Sequence, residues 1–259
     1  TCNMNFEKQI EIFSKSDAEY YGDKNFITNS QLGKLAKSPK VLDHYRKYGQ
    51  DDTNVLLFGR AMHMAVFEPD KFSEEVIRYE GKVRRGKDWE SFKKDNSEKT
   101  IISSSEYESI FRMFDKLMSI PRVKDLITDG IPEAVNCWQD SETGVYCKGK
   151  SDMIKNVNGV KILIDLKTTQ EHNEESFRRS CYKYGYDRQA AFYTDGFGGD
   201  EFCFIVIEKQ PPYDVGVYMC SKEFVEEGRK KYKKLLETYN NYFIRQESDI
   251  NNYYIESIL

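Results

Sequence analysis

The chain has 259 residues, of which 39% are hydrophobic and 32% charged, and its formal net charge is −4 at pH 7. That length buries a substantial core and the composition fits a globular protein. No run of eighteen apolar residues offers a transmembrane helix, and the negative balance argues against a generic nucleic-acid binder. The basic residues cluster, however, in GKVRRGKDWESFKK (81–94) and GRKKYKK (228–234). An acidic chain can carry a basic groove, although each cluster reads equally well as a solvated helix face. The opening TCNMNFEKQIEIFSKSD lacks a signal peptide's basic-then-apolar order, so a cytoplasmic protein is expected. Its six cysteines (Cys2, Cys137, Cys147, Cys181, Cys203, Cys220) are then reduced thiols. None forms a CxxC pair, which speaks against a zinc ribbon.

In chain order, NFITNSQLGKLAKSPKVLDHYRKYG (25–49) predicts a helix capped at Asn29/Ser30, with Leu32 and Leu35 at helical spacing and a stop or restart at Pro39. NVLLFGRAMHMAVFEP (54–69) predicts a mostly buried helix ending at Pro69. Residues 80–99 read as a polar, basic loop. SSEYESIFRMFDKLMSI (104–120) predicts an amphipathic helix with Tyr107, Ile110, Phe111, Phe114 and Leu117 on one face. After residue 130 the period changes to strands, at 133–140, 144–157 and 159–167. A helical region including YDRQAAFYTDGF (186–197) follows, then strands at 201–209 and 213–220 around Pro211-Pro212, and a final helix from 221 to about 246. This order predicts one α/β domain with a central mixed sheet flanked by helices. Residues 1–130 would be its mainly helical part, 131–220 its sheet core and 221–246 its terminal helix.

Asn158-Gly159 is a strong two-residue hairpin signal, because both residues tolerate positive φ. With that turn, Asp152 and Asp165 face each other with Cβ atoms about 5 Å apart, and alternation puts Lys167 on the face of Asp165. Opposed like charges on a partly buried surface need compensation. A shared proton would supply it, as would a hard cation such as Mg²⁺. Lys167 favours the cation, since an ammonium beside the pair discourages protonation. A metal and a lysine near a phosphate make a hydrolysis site. Asp-x-Lys by itself carries little information; it is the opposed Asp152 and the setting KILIDLK that give it weight.

Together these residues resemble the PD-(D/E)XK nuclease superfamily, and within it the RecE-type (exonuclease VIII-like) phage exonucleases. The likeness runs through SQLGKLAKSP, LLFGRAMHMAVFEP, RRGKDWESF, PEAVNCWQDSETGVYCKGKSDMI, ILIDLKTT and RQAAFY, six motifs in order over most of the chain. The resemblance implies a restriction-endonuclease-like core. It also implies a metal, Mg²⁺ with Mn²⁺ as substitute, held by Asp152, Asp165, His63 and the backbone carbonyl of Leu166. Lys167 would be the catalytic lysine and Glu133 a supporting acid. Gln189 and Tyr193 would contact the DNA end, as would Arg84, Arg85, Lys87 and Trp89 in the basic segment. No cysteine arrangement matches an iron–sulfur cluster, so none is expected. Without the resemblance, His63 on an apolar helix reads as a core histidine, and Gln189/Tyr193 as a half-buried pair.

The implied activity is Mg²⁺-dependent, 5′→3′ exonucleolytic hydrolysis of double-stranded DNA ends, leaving 3′ single strands for phage-type recombination. A ring-shaped homo-oligomer and a single-strand annealing partner accompany that expectation, with no membrane association. The alternatives are an endonuclease on the same scaffold, an inactive DNA-binding or assembly module, and a metal-independent hydrolase built on a carboxylate dyad.

Overall fold

The structure, a computed structural model, describes residues 25–170 and 173–257; Cys2 and the N-terminal segment lie outside the described residues. Helix α1 (Asn29–Leu35) is capped by the Thr28 hydroxyl, one residue before the expected Asn29/Ser30. The chain restarts as α2 (Pro39–Tyr48), with Ser38 as cap and Pro39 in the first turn, where its missing N–H costs nothing. Helix α3 (Asn54–Phe67) is followed by the short α4 (Pro69–Glu75).

The segment from 76 to 103 departs from the expected loop. Strand β1 (Val76–Tyr79) pairs in parallel with β2 (Thr100–Ser103). A parallel pair needs a crossover, and that crossover contains helix α5 (Lys87–Asp95), so residues 80–99 are not a loop throughout. Trp89 packs its ring on Tyr79 of β1, with centroids 5.0 Å apart. Helix α6 (Ser104–Ser119) opens with a capping box between Ser103 and Glu106. It buries Ile110, Met113 and Leu117, while Phe111 stays exposed. Helix α7 (Pro121–Ile127) leads to the main sheet.

That sheet has five strands in the order β3 (Ile131–Gln139), β4 (Tyr146–Val157), β5 (Val160–Thr169), β6 (Glu201–Glu208) and β7 (Val215–Met219). All neighbours are antiparallel except β5 and β6, whose parallel pairing is bridged by α8 (Glu174–Tyr184) and α9 (Tyr186–Phe197). The mixed α/β sheet flanked by helices is the fold expected from the sequence. Helix α10 (Lys222–Tyr239) runs into a π-turn over Asn240–Ile244, short of the expected single helix to 246.

The sheet is covered on both faces. Ile162, Ile164 and Leu166 of β5 pack with α3, α6 and α7, whereas Leu163 packs with Phe177 of α8, Ala190 of α9 and Phe204 of β6. Covering both faces explains the almost unbroken apolar run of β6. Helix α10 lies on α9 at very close range. A Cβ at Gly228 would come 1.8 Å from the carbonyl oxygen of Asp187, so glycine is required there. The cysteines at 137, 147, 181, 203 and 220 are free thiols. Among the described residues, no helix is long and apolar enough to cross a membrane.

Candidate functional site

The β4–β5 turn positions the site. Asn158 and Gly159 have φ of 53° and 86°, the left-handed pair of a tight hairpin. The resulting register runs from Val157↔Val160 to Met153↔Ile164 and ends there. Asp152 and Asp165 would be the next pair. Instead of a ladder bond, the Asp152 carboxylate Oδ2 accepts the Leu166 backbone N–H at 2.8 Å. The strands thus part at the two carboxylates, and a side chain takes over the role of the neighbouring strand's carbonyl. In an extended strand a residue's N–H and C=O point toward the same neighbour, so the Leu166 carbonyl also faces this gap.

Both sheet layers reach the gap. His63 comes from α3 and places Nε2 3.0 Å from Asp152 Oδ2, while its Nδ1–H donates to the Gly59 carbonyl at 2.8 Å. From the other layer, Gln189 of α9 donates its amide to Asp165 Oδ1. Lys167 Nζ lies 2.7 Å from Asp165 Oδ2, an oxygen that is buried and has no hydrogen bond of good geometry. The Asp152 and Asp165 side chains are 15% and 7% exposed, so these are desolvated carboxylates.

Their environments pull the two apart. For Asp165, burial is the main influence and, with the Asp152 charge, raises its carboxyl above the usual range against the opposing Lys167. Burial pushes Asp152 the same way, but the His63 charge and hydrogen bond, Lys167 and the Leu166 N–H hold it below its ordinary value. Burial disfavours the His63 imidazolium, yet the Asp152 charge and hydrogen bond and the Gly59 carbonyl hold it up to about 9. Lys167 is likewise raised, because Asp165, Tyr186 and Asp152 outweigh its desolvation.

Glu133 has a φ of 49° in β3, between Pro132, which pairs with Met153, and Ala134, which pairs with Ser151. It therefore sits across from Asp152 and makes an ion pair with Lys150. Burial and the Asp152 charge push its carboxyl up to about 7 against Lys150. Asp152, Asp165, Lys167, His63, Glu133, Gln189 and the Leu166 backbone are thus gathered in one place.

The remaining residues picked from sequence lie elsewhere. Tyr193 is half-buried among Phe197 and Phe202, with centroids 5.9 and 6.5 Å away. Arg84 is tied to Glu106, while Arg85 and Lys87 are exposed. Glu106, the partner of Arg84, also lines a cleft of about 440 Å³ with Phe58, Lys209 and Gln170, the residue after β5. A larger cavity, about 980 Å³, lies among α9, β6 and α10 and includes none of these residues. Four of the five cations of the second basic cluster have acidic partners: Arg229 pairs with Asp195, Lys230 with Glu227 at the surface, Lys231 with Asp187 and Lys233 with Asp140.

Three participants escaped the sequence reading. Lys150 holds Glu133, Glu68 at the α3–α4 junction acts electrostatically on Glu133, and Tyr186 places its ring 4.9 Å from Lys167 Nζ. Lys150 and Glu68 lie inside quoted motifs, in GKSD and FEP, but only the fold tells which neighbours they meet.

Among the described residues, no group of three or more His, Cys, Asp or Glu is gathered as a metal cluster. A Mg²⁺-type ion asks for less. It takes one or two carboxylates and completes its shell with waters and substrate oxygens. Two desolvated carboxylates, one with an oxygen lacking a hydrogen bond, and a carbonyl facing the same gap fit such an ion.

The profile of a family described as a PDDEXK-like domain of unknown function (DUF3799) matches residues 28–251. Among solved structures, the chain is similar to a candidate exonuclease from Eubacterium rectale, at 13% identity and a TM-score of 0.60, covering 95% of this chain and 96% of that one. It also aligns with a phage-related exonuclease from Haemophilus somnus 129PT at 14% identity and a TM-score of 0.37, covering 86% of this chain and 96% of the other. No curated protein matches the chain.

Proposed function

Because the chain belongs to the PDDEXK-like domain family, we propose that it is a divalent-metal-dependent deoxyribonuclease that hydrolyses phosphodiester bonds from double-stranded DNA ends. The observation that carries this reading is the pair of buried carboxylates at the open end of the β4–β5 ladder, with Lys167 on one of them. Asp152, Asp165 and the Leu166 carbonyl would hold Mg²⁺, or Mn²⁺ in its place. When bound, such an ion lowers the pKa of a water and neutralises charge on phosphoryl oxygens.

The chain's own groups do the rest. The Gly59 carbonyl holds the Nδ1–H of His63, so an arriving ion would displace the Nε2 proton now shared with Asp152 and leave Nε2 as the ligating nitrogen. Lys167 stays protonated and places a positive charge where negative charge develops on the phosphoryl group. Gln189 fixes the orientation of Asp165, and Glu133 with Lys150 sets the field on the far side of Asp152. Arg85 and Lys87 supply phosphate contacts beside the cleft, with Arg84 and Trp89 anchoring that segment. Tyr193 supports the helix that carries Gln189. The 5′→3′ direction, the ring-shaped oligomer, the annealing partner and a role in phage-type recombination extend the same proposal by family resemblance.

The test is a Mg²⁺ titration on end-labelled duplex and on covalently closed circles, with Asp165→Ala as control. Release of nucleotides from the linear substrate alone, lost in chelator and in Asp165→Ala, supports the reading. Cleavage of the closed circle would instead make it an endonuclease. The opposite displacements of Asp152 and Asp165 also suit an acid/base dyad, and full activity in chelator would establish that alternative.

A further inference from the structure

Lys167 is roofed by an aromatic side chain. Its Nζ lies 4.9 Å from the Tyr186 ring centroid and 5.9 Å from that of Phe204. Tyr186 is itself stacked on Phe204, with centroids 5.3 Å apart and planes at 30°. On the outward side comes Tyr184, 5.8 Å from Tyr186 and again inclined by 30°. Tyr184 is 54% exposed, and Lys183 Nζ sits over its ring at 5.2 Å. Backbone geometry creates the series. Gly185, at φ 67° and ψ 47°, ends α8 and begins α9, so the two tyrosines come from different helices and converge across one left-handed residue. A β-carbon at 185 would also meet the Arg188 guanidinium at 2.7 Å.

We propose that Tyr184, the exposed end of a track of rings that runs back through Tyr186 to the buried Phe204, is a stacking platform for a nucleobase, with the base next to the scissile phosphate lying on it. The proposal rests on the nuclease reading and adds a binding subsite to it. Three properties of the track fit a single-stranded end. Its outer ring is exposed, it begins at the Lys167 ammonium, and Lys183 adds a cation at the outer ring for a backbone phosphate. Every base offers a π-face, so such a platform accepts DNA without regard to sequence, as an end-processing enzyme requires. A buried lysine among carboxylates would need no ring beyond Tyr186, and Tyr184 contributes little to the core.

The experiment uses a short single-stranded oligodeoxynucleotide with a hydrolysis-resistant terminal linkage. Its terminal base is a fluorescent purine analogue whose emission is quenched by stacking. Wild type and Tyr184→Phe should quench it and bind alike. Tyr184→Leu, with an unchanged melting temperature, should lose the quench and bind on the order of tenfold or more weakly. Tyr182→Leu is the control: Tyr182 is on the same helix and 86% exposed, but it is Tyr184, two residues on, that meets the Tyr186 ring leading to Lys167. The control should behave as wild type. An abasic terminal nucleotide should bind wild type as weakly as the intact oligonucleotide binds Tyr184→Leu.

Undiminished quenching and affinity in Tyr184→Leu, or an equal loss in Tyr182→Leu, would overturn the subsite. If either occurs while Asp165-dependent hydrolysis persists, only the subsite falls. If wild type neither binds nor cleaves DNA, the nuclease reading falls with it.

Discussion

At the residue scale, the chain's own cations compensate two desolvated carboxylates: His63 on Asp152 and Lys167 on Asp165. Removing either leaves a negative charge without its partner in a poorly solvated place. Lys167→Met should therefore lower hydrolysis by roughly a hundredfold or more. It should also make the melting temperature depend more steeply on Mg²⁺, because only the ion then compensates Asp165. Parallel turnover and thermal-shift measurements check both effects, and near-normal turnover would remove Lys167 from the chemistry. His63→Ala should raise the Mg²⁺ midpoint on the order of tenfold. A loss of thermal stability with an unmoved midpoint would return His63 to the role of a core histidine.

At this scale Asp152, Asp165 and Lys167 were legible in the sequence, because an Asn-Gly turn and period-two alternation are local rules. The Gln189–Asp165 bond and the Tyr186 roof over Lys167 were not, since each joins side chains whose meeting depends on how α9 is laid across β5.

At the scale of elements, α9 is held by α10, and their contact leaves no room for a side chain at position 228. Gly228→Ala must displace α10 or the Asp187 carbonyl and should cost about 1–3 kcal/mol. Urea denaturation should show a lower midpoint at unchanged slope. Because α9 carries Gln189, activity should fall as well.

The β3–β4 loop is tied to α10 through Asp140, which accepts from the Thr143 N–H at 2.9 Å and its hydroxyl at 2.7 Å and pairs with Lys233. Burial alone would raise this carboxyl, but Lys233 and Thr143 outweigh it and hold it below the ordinary 3.8. A group depressed on folding stabilises above its unfolded value and loses that contribution as pH falls through its folded one. Asp140→Asn should therefore cost stability at neutral pH, and that cost should shrink as the pH falls below 3.8. Melting curves across that range check the sign. The helix in the basic segment was missed because VIRY and TIIS are too short to show a period, and only their parallel pairing demands a crossover between them.

At the scale of the whole molecule, the site lies where the two helical layers meet through the parted β4–β5 ladder, so ion binding and folding should be linked. Mg²⁺ at a hundred times its dissociation constant should add about 2.7 kcal/mol of stability, and Asp165→Ala should abolish the gain. Thermal melts against Mg²⁺ in both proteins measure it. Charge also reads differently at this scale. In sequence the 228–234 cluster reads equally well as groove or solvated helix face; four of its cations meet acidic partners from α9, α10 and the β3–β4 loop. Neutralising Arg85 and Lys87 should weaken DNA binding and flatten its salt dependence, whereas neutralising Lys230 should not.

The sequence by itself determined the α/β class, the hairpin register and the placing of Asp165 and Lys167 on one face. Each of these follows from backbone preferences and periodicities acting over a few residues. Only the tertiary structure decided that the ladder stops at the acidic pair, that a histidine and a glutamine reach it from opposite layers, and which basic residues meet acidic partners. Those outcomes depend on packing between segments far apart in the chain, where desolvation and charge pairing act through space and leave no local pattern.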